Sequence, residues 1–307
     1  MLQIALRRIA LAPITLFVLV SFTFLMIRLA PGGPFDGERE LPPEVIEALN
    51  EQFYLDKPLP KQYLNTLKQA ITFDFGSSMK HRDRTVREII REHLPNSIKL
   101  GALAISIAIC VGLVAGMTAA LNANKFGDWG TMLICVIGIS LPTFVFGPIL
   151  QLIFGMKLKW LPIAGFETPN QIILPAITLA LPFSARIARL ARTGFLEVLK
   201  EDYVMSAKAR GSSMARILIQ HVLPAAVRPV VSYLGPAIAG IVTGSLVVEM
   251  IFLIPGLGRE FVEGALNRDY PLIMGTTFVY GSFIICSNLT ADLLNRWLDP
   301  QSRGAEE

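Results

Sequence analysis

The side chains best suited to metal or nucleophilic chemistry are few and scattered. His81, His93 and His221 stand far apart or on unrelated segments, and no two share the i, i+4 spacing of a metal-binding helix. Cys110, Cys135 and Cys286 form an odd set, each inside an apolar run, and read as small buried apolar residues rather than a disulfide framework. No Gly-x-x-x-x-Gly-Lys-Ser/Thr loop occurs to cradle a phosphate. The chain is therefore expected to be no enzyme, with no catalytic or metal-binding residues and no cofactor of its own, and nucleic acid is not an expected partner. Ion-coupled transport is poorly equipped too. Arg28, Glu249 and Asp292 all sit near the ends of apolar runs, where a charge can snorkel, whereas a proton- or sodium-driven carrier generally keeps ionisable groups deeper. Glu249 is read as a structural or gate-pairing residue. What stands out instead is a spacing, Ala207, Gly211, Leu223 and Pro224, inside the basic stretch YVMSAKARGSSMARILIQHVLP at 203–224.

The elements that must hold this stretch are membrane helices. The chain has 307 residues, 52% of them hydrophobic and 17% charged, with a mean hydropathy of +0.52, which places it outside the soluble range. Six uncharged runs, 9–27, 100–124, 129–156, 168–185, 229–248 and 270–291, each approach or exceed the length that crosses about 30 Å of hydrocarbon at 1.5 Å per residue. Pro175 and Pro182 interrupt the fourth, a defect that neighbouring helices can cover. The first run is too long for a signal h-region and Arg28-Leu29-Ala30 is a poor cleavage site, so it reads as an uncleaved span.

Arg7 and Arg8 put the N-terminus in the cytoplasm, and six crossings return the C-terminus, with Arg296 and Arg303, to the same side. Between residues 186 and 228 lie eight Lys/Arg against Glu197, Glu201 and Asp202, which marks that connection as cytoplasmic; Lys157 and Lys159 are an exception on the other side. The expected organisation is a first transmembrane helix (1–29), an extracytoplasmic segment (30–96), a transmembrane domain (94–293) with a coupling segment at 194–226, and a cytoplasmic tail (294–307).

The external segment carries nine Lys/Arg and eleven Asp/Glu. Val45, Ile46, Leu49 and Phe53 form one helical stripe, and Tyr63, Leu64, Leu67 and Ile71 another. Thr85-Val86-Arg87-Glu88 has capping-box spacing and opens an amphipathic helix whose Ile89, Ile90 and Leu94 could lie along the membrane surface. Either a cap on the bundle or a receiver of a partner would look like this. Gly112-x-x-x-Gly116 and Gly240-x-x-x-Gly244 have the small-residue spacing of close helix contacts.

In the basic stretch, Leu196, Leu199, Tyr203 and Ala207 recur at helical spacing toward an end near Arg210, where Gly211 suits a left-handed cap. Ser212 or Ser213 then caps a second helix with Met214, Ile217, Leu218 and Val222 on its apolar side, stopped by Pro224. The result is a helical elbow with one apolar and one basic side. A merely solvated loop remains the alternative.

Ala207, Gly211, Leu223 and Pro224 match the Glu-Ala-Ala-x-x-x-Gly, nine residues, Ile-x-Leu-Pro loop of the binding-protein-dependent ABC importer permeases; Met205, Ser206 and His221 depart from it in the manner of the peptide-importer branch. Leu94-Pro95-Asn96-Ser97, Ser140-Leu141-Pro142-Thr143-Phe144, Val248-Glu249-Met250-Ile251-Phe252 and Ile254-Pro255-Gly256-Leu257-Gly258 point the same way. The stretches GERELPPEV at 37–45 and GALNRDY at 264–270 are similar to the B-type permease of the oligopeptide importers. The chain thus resembles the oligopeptide/dipeptide branch of this family along essentially its whole length.

The resemblance implies an all-α polytopic membrane protein with six transmembrane helices of the type I ABC importer architecture, in the bacterial inner membrane. It implies a binding-protein-dependent oligopeptide importer with a homologous C-type permease, two cytoplasmic ATPase subunits that hold ATP and magnesium, an extracytoplasmic peptide-binding protein and surrounding lipid. Tyr203, Ala207, Arg210, Gly211, Met214, Ile217, His221, Leu223 and Pro224 are the expected ATPase-coupling residues. Glu249, at the end of the fifth run, and Pro255, Gly256 and Gly258, in a short external loop at 254–261, are a candidate gate. Ser140, Gln151, Thr243, Ser245, Ser282 and Asn288 are candidate lining of a polar path. Dipeptides, nickel chelates or glutathione are alternative cargoes, and an ion-coupled secondary transporter is the alternative of a different class.

Overall fold

The computed structural model describes residues 2–35, 42–81 and 83–298. Among these residues the fold is helical, with a single isolated antiparallel bridge between Ser77 and Thr85. In order the helices are α1 (Leu2–Leu29), α2 (Pro43–Gln52), α3 (Leu59–Thr72), α4 (Val86–Leu121), α5 (Phe126–Ser140), α6 (Thr143–Leu150), α7 (Ile173–Val198), α8 (Asp202–Ala209), α9 (Met214–Ile217), α10 (Leu223–Ala226), α11 (Arg228–Ile251), α12 (Leu257–Leu266) and α13 (Tyr270–Leu298). Five are long and apolar enough to cross a membrane alone, and the pair α5–α6 with its extension to Lys157 brings the number to six when counted as one span. The protein is a multi-pass membrane protein.

The third apolar run is not the straight crossing expected at 129–156. It bends by 109° at Leu141-Pro142. A residue before proline is driven out of the helical region, and Leu141 (ψ 121°) and Pro142 (ψ 144°) are both extended, so α5 ends and α6 begins anew. A second correction concerns the amphipathic helix at 85. Its capping box forms, with Thr85 N donating to Glu88 Oε2 (2.9 Å) and Glu88 N donating to Thr85 Oγ1 (3.2 Å). The helix does not lie apart, however; it runs on without a break into the second span as α4, with Val86 and Ile89 fully buried.

The chain divides into two compact units. One comprises Leu6–Asn96 and Pro255–Phe283, around a core of Val20, Phe75, Val86, Ile89, Leu272 and Phe278. The expected stripe on α3 is split: Leu67 packs on this core and Tyr63 meets Ser21 and Phe24, whereas Leu64 and Ile71 are exposed and Gln62 and Ala70 are buried. The external loop expected at 254–261 is mostly helix, because the extended Gly256 caps α12 from Leu257 onward.

The other unit holds residues 2–5, Ser97–Ile254 and residues 284–298, with α7 at its centre and α5, α6, α10 and α11 packed on it. The glycine pairs are close contacts. A Cβ on Gly112 would meet Ile187 Cγ2 at 2.6 Å, and one on Gly116 would meet Ala191 Cβ at 2.6 Å, so α4 approaches α7 as near as backbones allow. On α11, Gly240 likewise makes room for the ring of Phe183.

Candidate coupling site

The elbow is built from local chemistry outward. The helical spacing from Leu196 to Ala207 is not one helix; α7 ends at Val198 and α8 starts at Asp202, with Glu201 extended between them. At the far end of α8 the chain turns as a two-bond cap: Gly211 N donates to Lys208 O (2.9 Å) and Ser212 N to Ala207 O (3.2 Å). Gly211 sits at φ +79° with nothing within 4 Å of where a Cβ would stand, so its glycine is demanded by backbone conformation and not by space. Ser213 caps α9, accepting from Arg216 N at 3.4 Å.

Pro224 does not stop the second helix. The turn Leu218–Val222 widens to a π-helix, and Pro224 falls in the first turn of α10, where its missing N–H is no loss. The segment therefore continues through α10 to α11 with only a break at Val227.

Two faces result. Val204, Ala207, Ile217, Val222 and Ala226 are buried in the same core that contains Phe195, Leu179 and Ile241. Burying side chains such as Ile217 and Val222 contributes about 1.5–3 kcal/mol each. Gly194 of α7 lies directly against the Ala226 backbone, and Tyr203 Oη donates to His221 O at 3.3 Å. Outward stand Tyr203 (45% exposed), Met205 (53%), Met214 (43%) and Ile219 (65%), interleaved with exposed Lys208, Arg210 and Arg216. The structure thus separates the expected coupling residues. Tyr203, Arg210, Gly211, Met214 and Pro224 are exposed, His221 and Leu223 half-buried, and Ala207 and Ile217 belong to the inner seam. Met205 and Ile219, not singled out by spacing, join the outer face.

Behind the elbow, Arg192 grips Asp128 in a two-pronged ion pair, Nε to Oδ1 and Nη2 to Oδ2, both 2.6 Å, and Asp128 also accepts from Asn124 N at 2.9 Å. Asp128 is 3% exposed. This pair ties the start of α5 to α7 six residues before α7 ends. A lone Asp beside an uncharged run was the available signal, but its partner lies 64 positions away.

The other candidates disperse. Glu249 is fully buried and accepts from Ser97 Oγ at 2.7 Å. Pro255, Gly256 and Gly258 belong to the other unit, where Pro255 O accepts from Asn96 Nδ2 at 2.7 Å. Among the lining candidates, Ser140 and Thr243 are exposed, Ser282 and Asn288 half-buried and Ser245 buried. Gln151 is a clamp, its Nε2 donating to Ile163 O (2.7 Å) and Ile251 O (3.2 Å). The 37–41 stretch and Arg303 lie outside the described residues.

The family profile described as "Binding-protein-dependent transport system inner membrane component" matches residues 112–304, and its N-terminal companion matches 1–101. The chain belongs to this family. The permease is 43% identical over 305 residues to the oligopeptide transport system permease protein OppB of Haemophilus influenzae, covering 99% of this chain and 100% of that one. The same protein name from Escherichia coli matches at 43% over 305 residues, and the dipeptide transport system permease protein DppB of Bacillus subtilis at 42% over 287 residues, 94% of this chain and 93% of that one. A crystal structure of an amino acid ABC transporter shares the fold, with a TM-score of 0.52 at 19% identity over 69% of this chain and 94% of that one.

Proposed function

We propose that this permease is one of two membrane subunits of an ATP-driven importer of oligopeptides. Its elbow would sit in a groove on a cytoplasmic ATPase subunit, which with its twin binds ATP and magnesium. The observation that carries this is the two-faced elbow: an outer surface of exposed aromatic, methionine and arginine side chains, the types enriched where proteins dock, backed by an inner face continuous with the transmembrane core. Closure of the ATPases then moves α7, α10 and α11 as a packed body, since a close-packed element transmits load where a solvated loop would flex.

The oligopeptide reading is supported by full-length similarity to OppB. A homologous second permease would complete the translocation path, with Thr243 and Ser140 among the polar groups available to it, and an extracytoplasmic binding protein would deliver the peptide. The excess of Lys and Arg around the elbow and at Arg7 and Arg8 supports both termini and the elbow lying on the cytoplasmic side, and the inner-membrane family supports a bacterial inner membrane as the location.

Co-purification from native membranes followed by reconstitution tests this. ATP-dependent accumulation of labelled tri- to pentapeptides, requiring the co-purified ATPases and binding protein, is the expected result. Uptake that persists without ATP, or selective uptake of a non-peptide, contradicts it.

A further inference from the structure

The unit made of Leu6–Asn96 and Pro255–Phe283 holds a half-open cleft of about 200 Å³. Its α3 side is polar where a packing helix would be apolar: α3 contributes Gln62, Asn65 and Gln69 to it, while Leu64 and Ile71 of the same helix are 64% and 81% exposed. Buried polar atoms are nearly always hydrogen-bonded, yet two on this wall are not. Gln62, 7% exposed, spends its Nε2 on Leu55 O (3.1 Å) and Lys57 O (2.7 Å), and its Oε1 lacks a donor. Arg28 Nε is buried and lacks an acceptor. The guanidinium of Arg28 is held between the rings of Phe24 (5.5 Å to its centroid) and Tyr270 (5.0 Å). Among the described residues lining the cleft there is no carboxylate, and Arg28 is the one cation.

A ligand that satisfies both orphan atoms brings an anionic acceptor to the guanidinium and an N–H donor to the carboxamide oxygen. The carboxy-terminal residue of a peptide carries both, a carboxylate and its own backbone N–H. A lipid phosphodiester spreads one negative charge over two oxygens as a carboxylate does, but it is less well matched because no N–H stands beside that anion to meet the carboxamide oxygen. The volume, below the roughly 300–1,000 Å³ of sites that swallow a whole drug-sized ligand, suits an end group. We infer that this cleft binds the free carboxy-terminus of a peptide. The inference rests on the peptide-importer reading and adds to it a carboxylate-selective site in the unit of Leu6–Asn96 and Pro255–Phe283, between α1, α3 and the start of α13.

The test uses the assembled transporter in neutral detergent without its binding protein, titrated with labelled N-acetyl-trialanine, its carboxamide and short-chain phosphatidylglycerol. The acid should bind saturably and the carboxamide at least tenfold more weakly. Arg28→Gln should remove the difference between them, and Gln62→Leu should weaken the acid severalfold, with both variants melting within the wild-type range. If Arg28→Gln fails to assemble, the acid–carboxamide comparison on wild type and Gln62→Leu decide. Equal binding of acid and carboxamide, no acid binding, or displacement of the acid by phosphatidylglycerol with the lipid binding more tightly overturns the inference. ATP-driven uptake by wild type with its binding protein is measured in parallel. Peptide uptake without carboxylate binding removes this site alone, whereas absence of any peptide uptake removes the importer reading.

Discussion

Gly211 and the Asp128–Arg192 pair are where single side chains decide most. At φ +79° an alanine fits the open space around position 211 but meets the backbone penalty of the left-handed region, about 1–2 kcal/mol. Gly211→Ala should therefore lower the thermal midpoint slightly, while Gly211→Pro, which fixes φ near −65°, should dismantle the turn. Removing one partner of this part-buried ion pair strands the other, at a cost below the ~3–5 kcal/mol of a fully buried pair. Asp128→Leu or Arg192→Met alone should thus lower the midpoint of a melt, and the double variant Asp128→Leu/Arg192→Met should recover part of the loss in a double-mutant cycle; additive losses would show that the two residues act separately. Glu249 accepts a hydroxyl proton from Ser97, a role glutamine's carbonyl can fill. Glu249→Gln should keep ATP-driven uptake within a few-fold of wild type, and abolished uptake with an intact fold would restore the ion-coupled alternative.

At the scale of elements, the elbow's existence was legible because its signals are local. The Gly211 cap, the Ser213 cap and the Ile217/Val222 spacing all concern residues within a few positions of one another, and each appears in the structure. What failed was read from continuity. Leu196 to Ala207 keeps helical spacing across a break at Glu201, and Pro224 sits in a helix start made possible by a widened turn that hydropathy does not reveal. The apolar run at 129–156 hid its bend in the same way, although Pro142 supplied the physical reason. Packing between elements was out of reach: that Gly116 abuts Ala191, or that α3 buries Gln62 and exposes Leu64 and Ile71, depends on partners far along the chain. Gly116→Leu should separate α4 from α7 and lower expression and melting temperature sharply. The corresponding change at half-buried Gly130, where an added Cβ would find nothing within 4 Å, should do little.

For the whole molecule, membership of the family was readable from motif order along the chain, since those motifs are contiguous in sequence. The path lining was not, because which face of a helix meets a second permease is set by an assembly and not by this chain. Coupling is the property that belongs to the assembly as a whole, and it reduces to one ratio: peptide accumulated per ATP hydrolysed in proteoliposomes holding the complete transporter. With Arg210→Glu, which reverses an exposed charge on the elbow, ATP hydrolysis should persist while that ratio falls at least tenfold. An unchanged ratio, with hydrolysis and uptake both at wild-type levels for Arg210→Glu and for Gly211→Pro, would contradict the assignment of this elbow as the element that carries ATPase motion to the membrane helices.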